Sequence, residues 1–302
     1  TATINFTVTD LCETIAFEAI FTLEEPTSLS NTEPTDLSLN SCDFADQNAV
    51  DIAFNNWFNN LEAEANVQGG CDPIISDDFD GNIPQLCAGG TVTINFTVSD
   101  LCETITFDAI FTLDEPTALS TTEPTDLIVD ACDFADQTAL DNAFNTWFNN
   151  LEAEANVQGG CDPIITNDFD GNIPQLCAGG TVTINFTVTD LCETITFDAI
   201  FTLNEATALS FTEPPDTTVD ACTVADQTAL DNALNTWYDY VITQANVHGG
   251  CDPTIADDFD GNIPQLCVGG TATINFTVTD LCETIAFEAI FTLEEPTSLS
   301  NT

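Results

Sequence analysis

The sequence predicts a tandem array of small, mostly β modules, each carrying one amphipathic helix. Three observations predict it. Nearly the same stretch begins at Thr1, Thr91, Thr181 and Thr271, a period of 90 residues in a chain of 302. Inside that stretch apolar and polar residues alternate on both sides of a tight turn, as in a half-buried hairpin. Between successive copies lies a run with apolar residues at helical spacing. A fixed period of this size means several small units rather than one large one.

The hairpin is clearest at Gly180–Leu203. Val182, Ile184, Phe186 and Val188 alternate with Thr183, Asn185, Thr187 and Thr189. Beyond the turn Asp190–Thr194, the residues Ile195, Phe197, Ala199, Phe201 and Leu203 alternate again. β-branched and aromatic residues suit a pleated surface with one face covered. One hairpin cannot cover its own apolar face, so each period must supply a partner layer.

Taken in order, residues 1–32 read as the last hairpin of a preceding module. They recur letter for letter at 271–302, so the chain reads as a window on a longer protein. Pro-containing junctions follow each hairpin, at Glu25-Pro26, Glu33-Pro34, Glu115-Pro116, Glu123-Pro124 and Glu213-Pro214-Pro215. Connectors of this composition are stiff. Whole modules are therefore expected at 33–122, 123–212 and 213–302. In the middle one, Leu127–Cys132 reads as a first strand and Asp133 as a helix cap. Leu140, Ala143, Phe144, Trp147, Phe148 and Leu151 then form one helical face. Gly159-Gly160 leads towards a second strand, 167–172 reads as a polar turn, and the hairpin closes the module. The third copy departs most, with Tyr238–Ala245 replacing FNNLEAEA, yet Leu230, Leu234, Trp237 and Val241 keep the apolar face.

The charge narrows the function classes. There are 51 acidic residues, one His, and no Lys or Arg. Phosphate contacts and anionic lipid both need cations, which argues against nucleic-acid and membrane-surface partners. No apolar run reaches membrane-span length. With 22 Phe and clean alternation the chain is not a disordered polyanion. It reads as folded modules under strong self-repulsion. No nucleophile–base pair or cofactor motif stands out among the carboxylates, so an enzyme is not expected.

Thirteen cysteines recur four to a period, at 12, then 42, 71, 87 and 102, and onward every 90 residues. Fixed spacing in small β-rich units means disulfides and an oxidising compartment. Zinc is disfavoured by the lack of any CxxC pair and by the solitary His248, which replaces Gln68 and Gln158.

A second candidate site is the acidic loop. Asp78, Asp80 and Asn82 recur as Asp168, Asp170 and Asn172, and as Asp258, Asp260 and Asn262. Alternating oxygen side chains before Gly81, Gly171 and Gly261 resemble the first half of a calcium loop, without the closing Glu. The plain alternative is a polar turn. Calcium is the one cofactor this pattern suggests. Asn5, Asn95, Asn185 and Asn275 begin N-glycosylation sequons, and Asp216-Thr217-Thr218 fits a short O-glycosylation motif.

The stretch 179–203, with Gly159-Gly160-Cys161, Cys177-Ala178-Gly179-Gly180 and Asp190-Leu191-Cys192-Glu193-Thr194, resembles the hyalin-repeat-like, immunoglobulin-like domains of giant Bacteroidetes cell-surface adhesins. Glu193 stands where that family often has Gly, and the Trp-bearing helix is an insertion. The resemblance implies immunoglobulin-like β-sandwich modules, each with one helix and two disulfides. It also implies a structural stalk or filament at the cell surface, in attachment or gliding motility, exported by type 9 secretion. The expected partners are neighbouring repeats of the same chain. The alternatives are a self-assembling extracellular fibre that exchanges strands between subunits and a calcium-dependent binding module. A sandwich places Cys42 and Cys87 at one pole and Cys71 and Cys102 at the other. The implied bonds are Cys42–Cys87 and Cys71–Cys102, then Cys132–Cys177 and Cys161–Cys192, then Cys222–Cys267 and Cys251–Cys282.

Overall fold

The alternating stretches form antiparallel hairpins in the computed structural model, which describes residues 1–296. The first is β1 (Ala2–Thr9) with β2 (Thr14–Phe21), in register from Ala2↔Phe21 to Thr9↔Thr14. Its turn is set by Asp10, whose carboxylate accepts from the backbone N–H of Cys12 and Glu13, both at 2.8 Å. An Asp side chain that binds the backbone two and three residues on closes the turn locally.

The next hairpin acquires neighbours. In chain order come β3 (Leu37–Asn40), α1 (Gln47–Ala65), β4 (Ile74–Asp77), β5 (Gly90–Ser99) and β6 (Thr104–Asp114). They make a four-stranded sheet in the order β3-β6-β5-β4, with β3 parallel to β6 and the other pairs antiparallel. Ile94, Phe96 and Val98 on β5 and Phe107, Ala109, Phe111 and Leu113 on β6 are buried. Val50, Phe54, Trp57, Leu61 and Ala65, one stripe of α1, complete that core. Phe54 meets Phe111 edge-on at 5.1 Å, a favoured aromatic geometry. Trp57 donates its indole N–H to the Thr35 carbonyl at 2.9 Å, which satisfies its one polar group.

The mostly-β expectation and the alternating faces hold. The sandwich detail is corrected: one sheet, with a helix in place of a second sheet. A 19-residue helix is about 28 Å long, enough to cover most of a ten-residue strand of about 33 Å. The helix cap is also corrected. Asp136, not Asp133, caps the second helix and accepts from Ala139 N–H at 2.9 Å, because Ala131–Asp133 is already wound into a 3-10 turn.

The same order recurs twice. β7 (Leu127–Asp130), β8 (Ile164–Asn167), β9 (Gly180–Thr189) and β10 (Thr194–Asn204) give β7-β10-β9-β8. Here the helix is interrupted, α2 (Gln137–Phe148) and α3 (Leu151–Ala155), where Asn150 N–H reaches back only to Trp147 O. One helix per module is thus modified to two in this copy. Last come β11 (Thr217–Asp220), α4 (Gln227–Ala245), β12 (Thr254–Asp257), β13 (Gly270–Thr279) and β14 (Thr284–Glu294), ordered β11-β14-β13-β12. Tyr238 donates to Asp257 at 2.7 Å, and that bond pushes its hydroxyl up to about 12. Residues 297–302, the end of the third expected module, lie outside the described residues.

The chain divides into two compact units, one of residues 1–120, 158–164 and 188–195, the other of 121–157, 165–187 and 196–302. The first unit thus takes in two short segments that the 90-residue period assigns to the next repeat. Each of them carries a cysteine bonded to the first repeat.

These bonds overturn the implied pairing. The disulfides are Cys42–Cys161 and Cys87–Cys192 in the first unit, and Cys132–Cys251 and Cys177–Cys282 in the second. None of the bonds Cys42–Cys87, Cys71–Cys102, Cys132–Cys177, Cys161–Cys192, Cys222–Cys267 or Cys251–Cys282 forms. The register does place Cys42 and Cys87 at one pole, because β3 ends where β5 begins. But β6 lies between those strands, so two strand spacings, about 9.5 Å, separate them. That exceeds the usual disulfide reach. Each instead bonds to the facing pole of the following repeat. Cys12, Cys71, Cys102, Cys222 and Cys267 are free and exposed.

Candidate functional site

The junction between repeats concentrates the polar chemistry of the chain. In the first unit, the segment after β6 lies against residues 158–161 and the turn at Asp190. Ser120 and Gln158 exchange two backbone hydrogen bonds at 2.9 Å, and Gly160 N–H donates to Thr117 O at 2.8 Å. Leu119 is buried, and its N–H donates to the Glu193 carboxylate at 2.7 Å. Gly159 sits at φ +79°, and a Cβ there would lie 2.1 Å from the Ala118 carbonyl oxygen. Only glycine admits the linker this closely.

Asp190 joins the pieces. One carboxylate oxygen accepts from Cys192 and Glu193 N–H at 2.9 and 2.6 Å, closing the hairpin turn, and the other accepts from Cys161 N–H at 2.7 Å. Partial burial pushes its carboxyl up, but the three N–H donors outweigh that and hold it below the usual range. The residues it orders include Cys161 and Cys192, the two that bond back to Cys42 and Cys87. One carboxylate therefore sets the position of both cross-links.

The second unit repeats this. Ser210 exchanges bonds with His248 at 2.9 and 3.0 Å, and Leu209 N–H donates to Glu283 at 2.7 Å. Asp280 accepts from Cys251, Cys282 and Glu283. His248 enters only through its backbone and a ring nitrogen 2.8 Å from Asn246 O, consistent with sequence drift. The segment after β2 is seated likewise, with Ser30 on Gln68, Gly70 N–H on Thr27 O, and Leu29 N–H on Glu103. Asp100 accepts from Cys71 N–H there at 2.8 Å, yet Cys71 and Cys102 remain thiols.

The acidic loops are wired inward. Asp78 accepts from the side-chain and backbone N–H groups of Asn95 at 2.9 and 2.8 Å, and these hold its carboxyl below the usual range. Asp80 accepts from Asn82 N–H at 2.9 Å and from its amide at 2.7 Å. Asp168 binds Asn185 and Asp170 binds Asn172, and Asp258 binds Asn275 and Asp260 binds Asn262, in the same way. Among the described residues no three acidic, His or Cys side chains converge to hold a metal. These carboxylates pin a turn to β5, β9 and β13, and that wiring does not fit a calcium cage. It also engages the sequon residues Asn95, Asn185 and Asn275 by their amides.

The Gly-Gly-Cys and Asp-Leu-Cys-Glu-Thr pieces stand out in the sequence, but nothing in it assigns their Asp, Glu and Gly a role. The available signal was that both pieces recur at loops, each beside a cysteine.

No family model matches the chain, and no curated protein does. Among solved structures, mouse clustered PcdhgC3 EC1-3 is 10% identical over 68% of this chain and 77% of its own, with a TM-score of 0.30. The titin I-band fragment I67-I69 is 7% identical over 90% of this chain and 100% of its own, at 0.24. Drosophila N-cadherin EC1-4 is 7% identical over 76% and 69%, at 0.25. Similarity at this level carries no argument about fold or activity. No helix among the described residues is long and apolar enough to cross a membrane.

Proposed function

We propose that this chain is a structural repeat region, a stalk or filament segment of a secreted cell-surface adhesin, in which each repeat is covalently stapled to the next. The observation that supports it most is the disulfide pattern. Every cystine links residues 105 or 119 apart, across a repeat boundary, and none lies within one repeat. A fold that needed cystines only for its own stability would close them locally. These place covalent bonds where tension between modules would act. Such bonds require an oxidising compartment, as the outside of the cell provides. The uniform negative charge suits a surface that resists lateral aggregation. A role in attachment or gliding rests on the sequence resemblance.

The test is mechanical. The shortest covalent path from Thr1 to Thr302 crosses Cys42–Cys161 and Cys177–Cys282 and uses about 80 of the 302 residues. Single molecules stretched by terminal handles should stop extending at about 270 Å when oxidised and reach about 1,000 Å when reduced. Oxidised molecules that extend to the full length would remove the staple and with it the stalk reading.

A further inference from the structure

The third repeat departs from the first two at three positions beside Trp237. Thr217 on β11 stands where they have Leu37 and Leu127, Leu234 on α4 where they have Phe54 and Phe144, and Tyr240 where they have Asn60 and Asn150. In the first repeat Leu37 packs on the core and Phe54 meets Phe111 edge-on at 5.1 Å. Threonine and leucine are smaller than the residues they replace, so the third core is less filled on that side. The Trp237 indole N–H stands 3.4 Å from the Pro215 carbonyl oxygen, against 2.9 Å from Trp57 to Thr35 and from Trp147 to Thr125.

A groove of about 530 Å³ opens there between β11 and α4. Trp237 and Phe291, with ring centroids 5.5 Å apart, line it together with Thr217, Val219 and Tyr240. That volume, and apolar walls with a few polar groups, are typical of ligand sites. The same face is exposed in the earlier repeats, at Ile52, Asn56 and Asn60 and at Asn142, Thr146 and Asn150, although Cys42–Cys161 and Cys132–Cys251 bind each of them to its successor. A following repeat therefore leaves this face open.

Two further observations indicate the occupant. β11 is the last strand of its sheet and pairs only with β14 among the described residues, so its outer edge is open to an added strand. The charge around the groove is negative: Asp216, Asp220, Asp231 and Asp239 each adjoin a lining residue in sequence, and the chain has no Lys or Arg to answer them.

We propose that the groove of the third repeat binds an extended cationic peptide of a partner protein, which adds a strand to β11 and lays an arginine or lysine side chain along Trp237 and Tyr240. The methylene stem covers apolar surface while the charge stays at the rim. The aromatic rings attract the cation, and the neighbouring carboxylates complement it. This goes beyond the stalk reading and does not depend on it, since the groove lies within one repeat and uses no disulfide.

The three tryptophans occupy equivalent positions in the three repeats, which supplies the test. The intact 302-residue chain is labelled with 5-fluorotryptophan, and its three fluorine resonances are assigned by Trp→Phe variants. An acetylated, amidated hexapeptide of alternating arginine and threonine is titrated in at physiological salt, where diffuse attraction is screened. The Trp237 resonance should move saturably while those of Trp57 and Trp147 stay in place. The same peptide with citrulline for arginine, a neutral isostere, should bind about tenfold more weakly or less tightly still. Thr217→Leu restores the residue of the other two repeats, so it should fold as they do and lose the response. Tyr240→Asn should weaken it. No movement at millimolar peptide, equal movement of all three resonances, an undiminished response from Thr217→Leu or equal binding of the citrulline peptide would each overturn the proposal. So would a Trp237 shift given by a neutral oligosaccharide such as cellotetraose and not by the peptide.

Discussion

Residues 1–23 and 271–293 have one sequence and two environments. Phe6 is 42% exposed and Phe276 fully buried; Ile4 is 54% exposed and Ile274 fully buried. Their strand register is the same, residue for residue, and so is the Asp-based turn. Even the ring stack survives, Phe6 on Phe17 at 5.1 Å and Phe276 on Phe287 at 4.9 Å. The pair separates two things that usually arrive together. Local sequence sets the turn, the register and the face. Distant sequence alone determines whether that face is dry.

Reduction should break the comparison most. Loops of 105 and 119 residues are each worth about 5 kcal/mol in the chain-entropy account. Hydrogen exchange should show protection in Gly270–Glu294 falling sharply on reduction. Ala2–Phe21, which has no disulfide, should not change.

Substituting the shared phenylalanine sharpens it. Phe276→Ala should cost about 3–5 kcal/mol in urea unfolding, the range for a buried ring. Phe6→Ala should stay within about 0.5 kcal/mol of wild type, as at other uncovered positions. Equal effects would mean that β1–β2 is covered in solution.

The linkers behind the two hairpins should respond alike. A Cβ at Gly69 meets Ser28 O at 2.1 Å, and one at Gly249 meets Ala208 O at 2.1 Å. Gly→Ala at either should cost about 1–3 kcal/mol, read as lower melting temperature. Gly261, with open space around it, has the left-handed strain alone and should lose less.

The two turns differ in acid. Asp10 accepts from Cys12 and Glu13, which hold its carboxyl low. Asp280 is pushed up by partial burial, but Cys251, Glu283 and Cys282 N–H groups more than offset this. A depressed carboxyl gives stability that is complete above its unfolded value, about 3.9, and is lost as pH falls through the folded value. Asp280→Asn should therefore flatten the loss of melting temperature below about pH 4, whereas Asp10→Asn should leave that global curve unchanged. Smallest of all should be calcium: millimolar additions should move the melting temperature by less than about 1 °C, because a ligand stabilises the fold only when its concentration exceeds its dissociation constant for a site on the folded chain. A rise of several degrees would restore Asp258, Asp260 and Asn262 as a calcium site.

Much of the fold was legible because it is local. Val182 to Val188 and Ile195 to Leu203 alternate, so the strands and their buried faces could be read directly. The helical face at Leu140, Phe144, Trp147 and Leu151 was equally plain. The second layer was misread because an apolar sheet face does not specify whether a sheet or a helix covers it. The disulfides were misread for a reason of symmetry. Cys42 with Cys87 and Cys42 with Cys161 both recur every 90 residues, so the period cannot distinguish bonds within a repeat from bonds between repeats. Strand order decides it, by placing β6 between β3 and β5. The junction was hidden because Asp190 and Glu193 act on backbone N–H groups, which carry no sequence signature.

The four cystines overlap like tiles, spanning 42–161, 87–192, 132–251 and 177–282 without a gap. A protease that nicks the backbone once anywhere between those outer limits leaves a single covalent molecule. From 87 to 251 every peptide bond is bridged by at least two cystines, so even there one further bond can be reduced without separation. Trypsin has no cleavage site at all, since Lys and Arg are absent. Damage that would sever a string of independently closed modules at its first hit is here tolerated and carried.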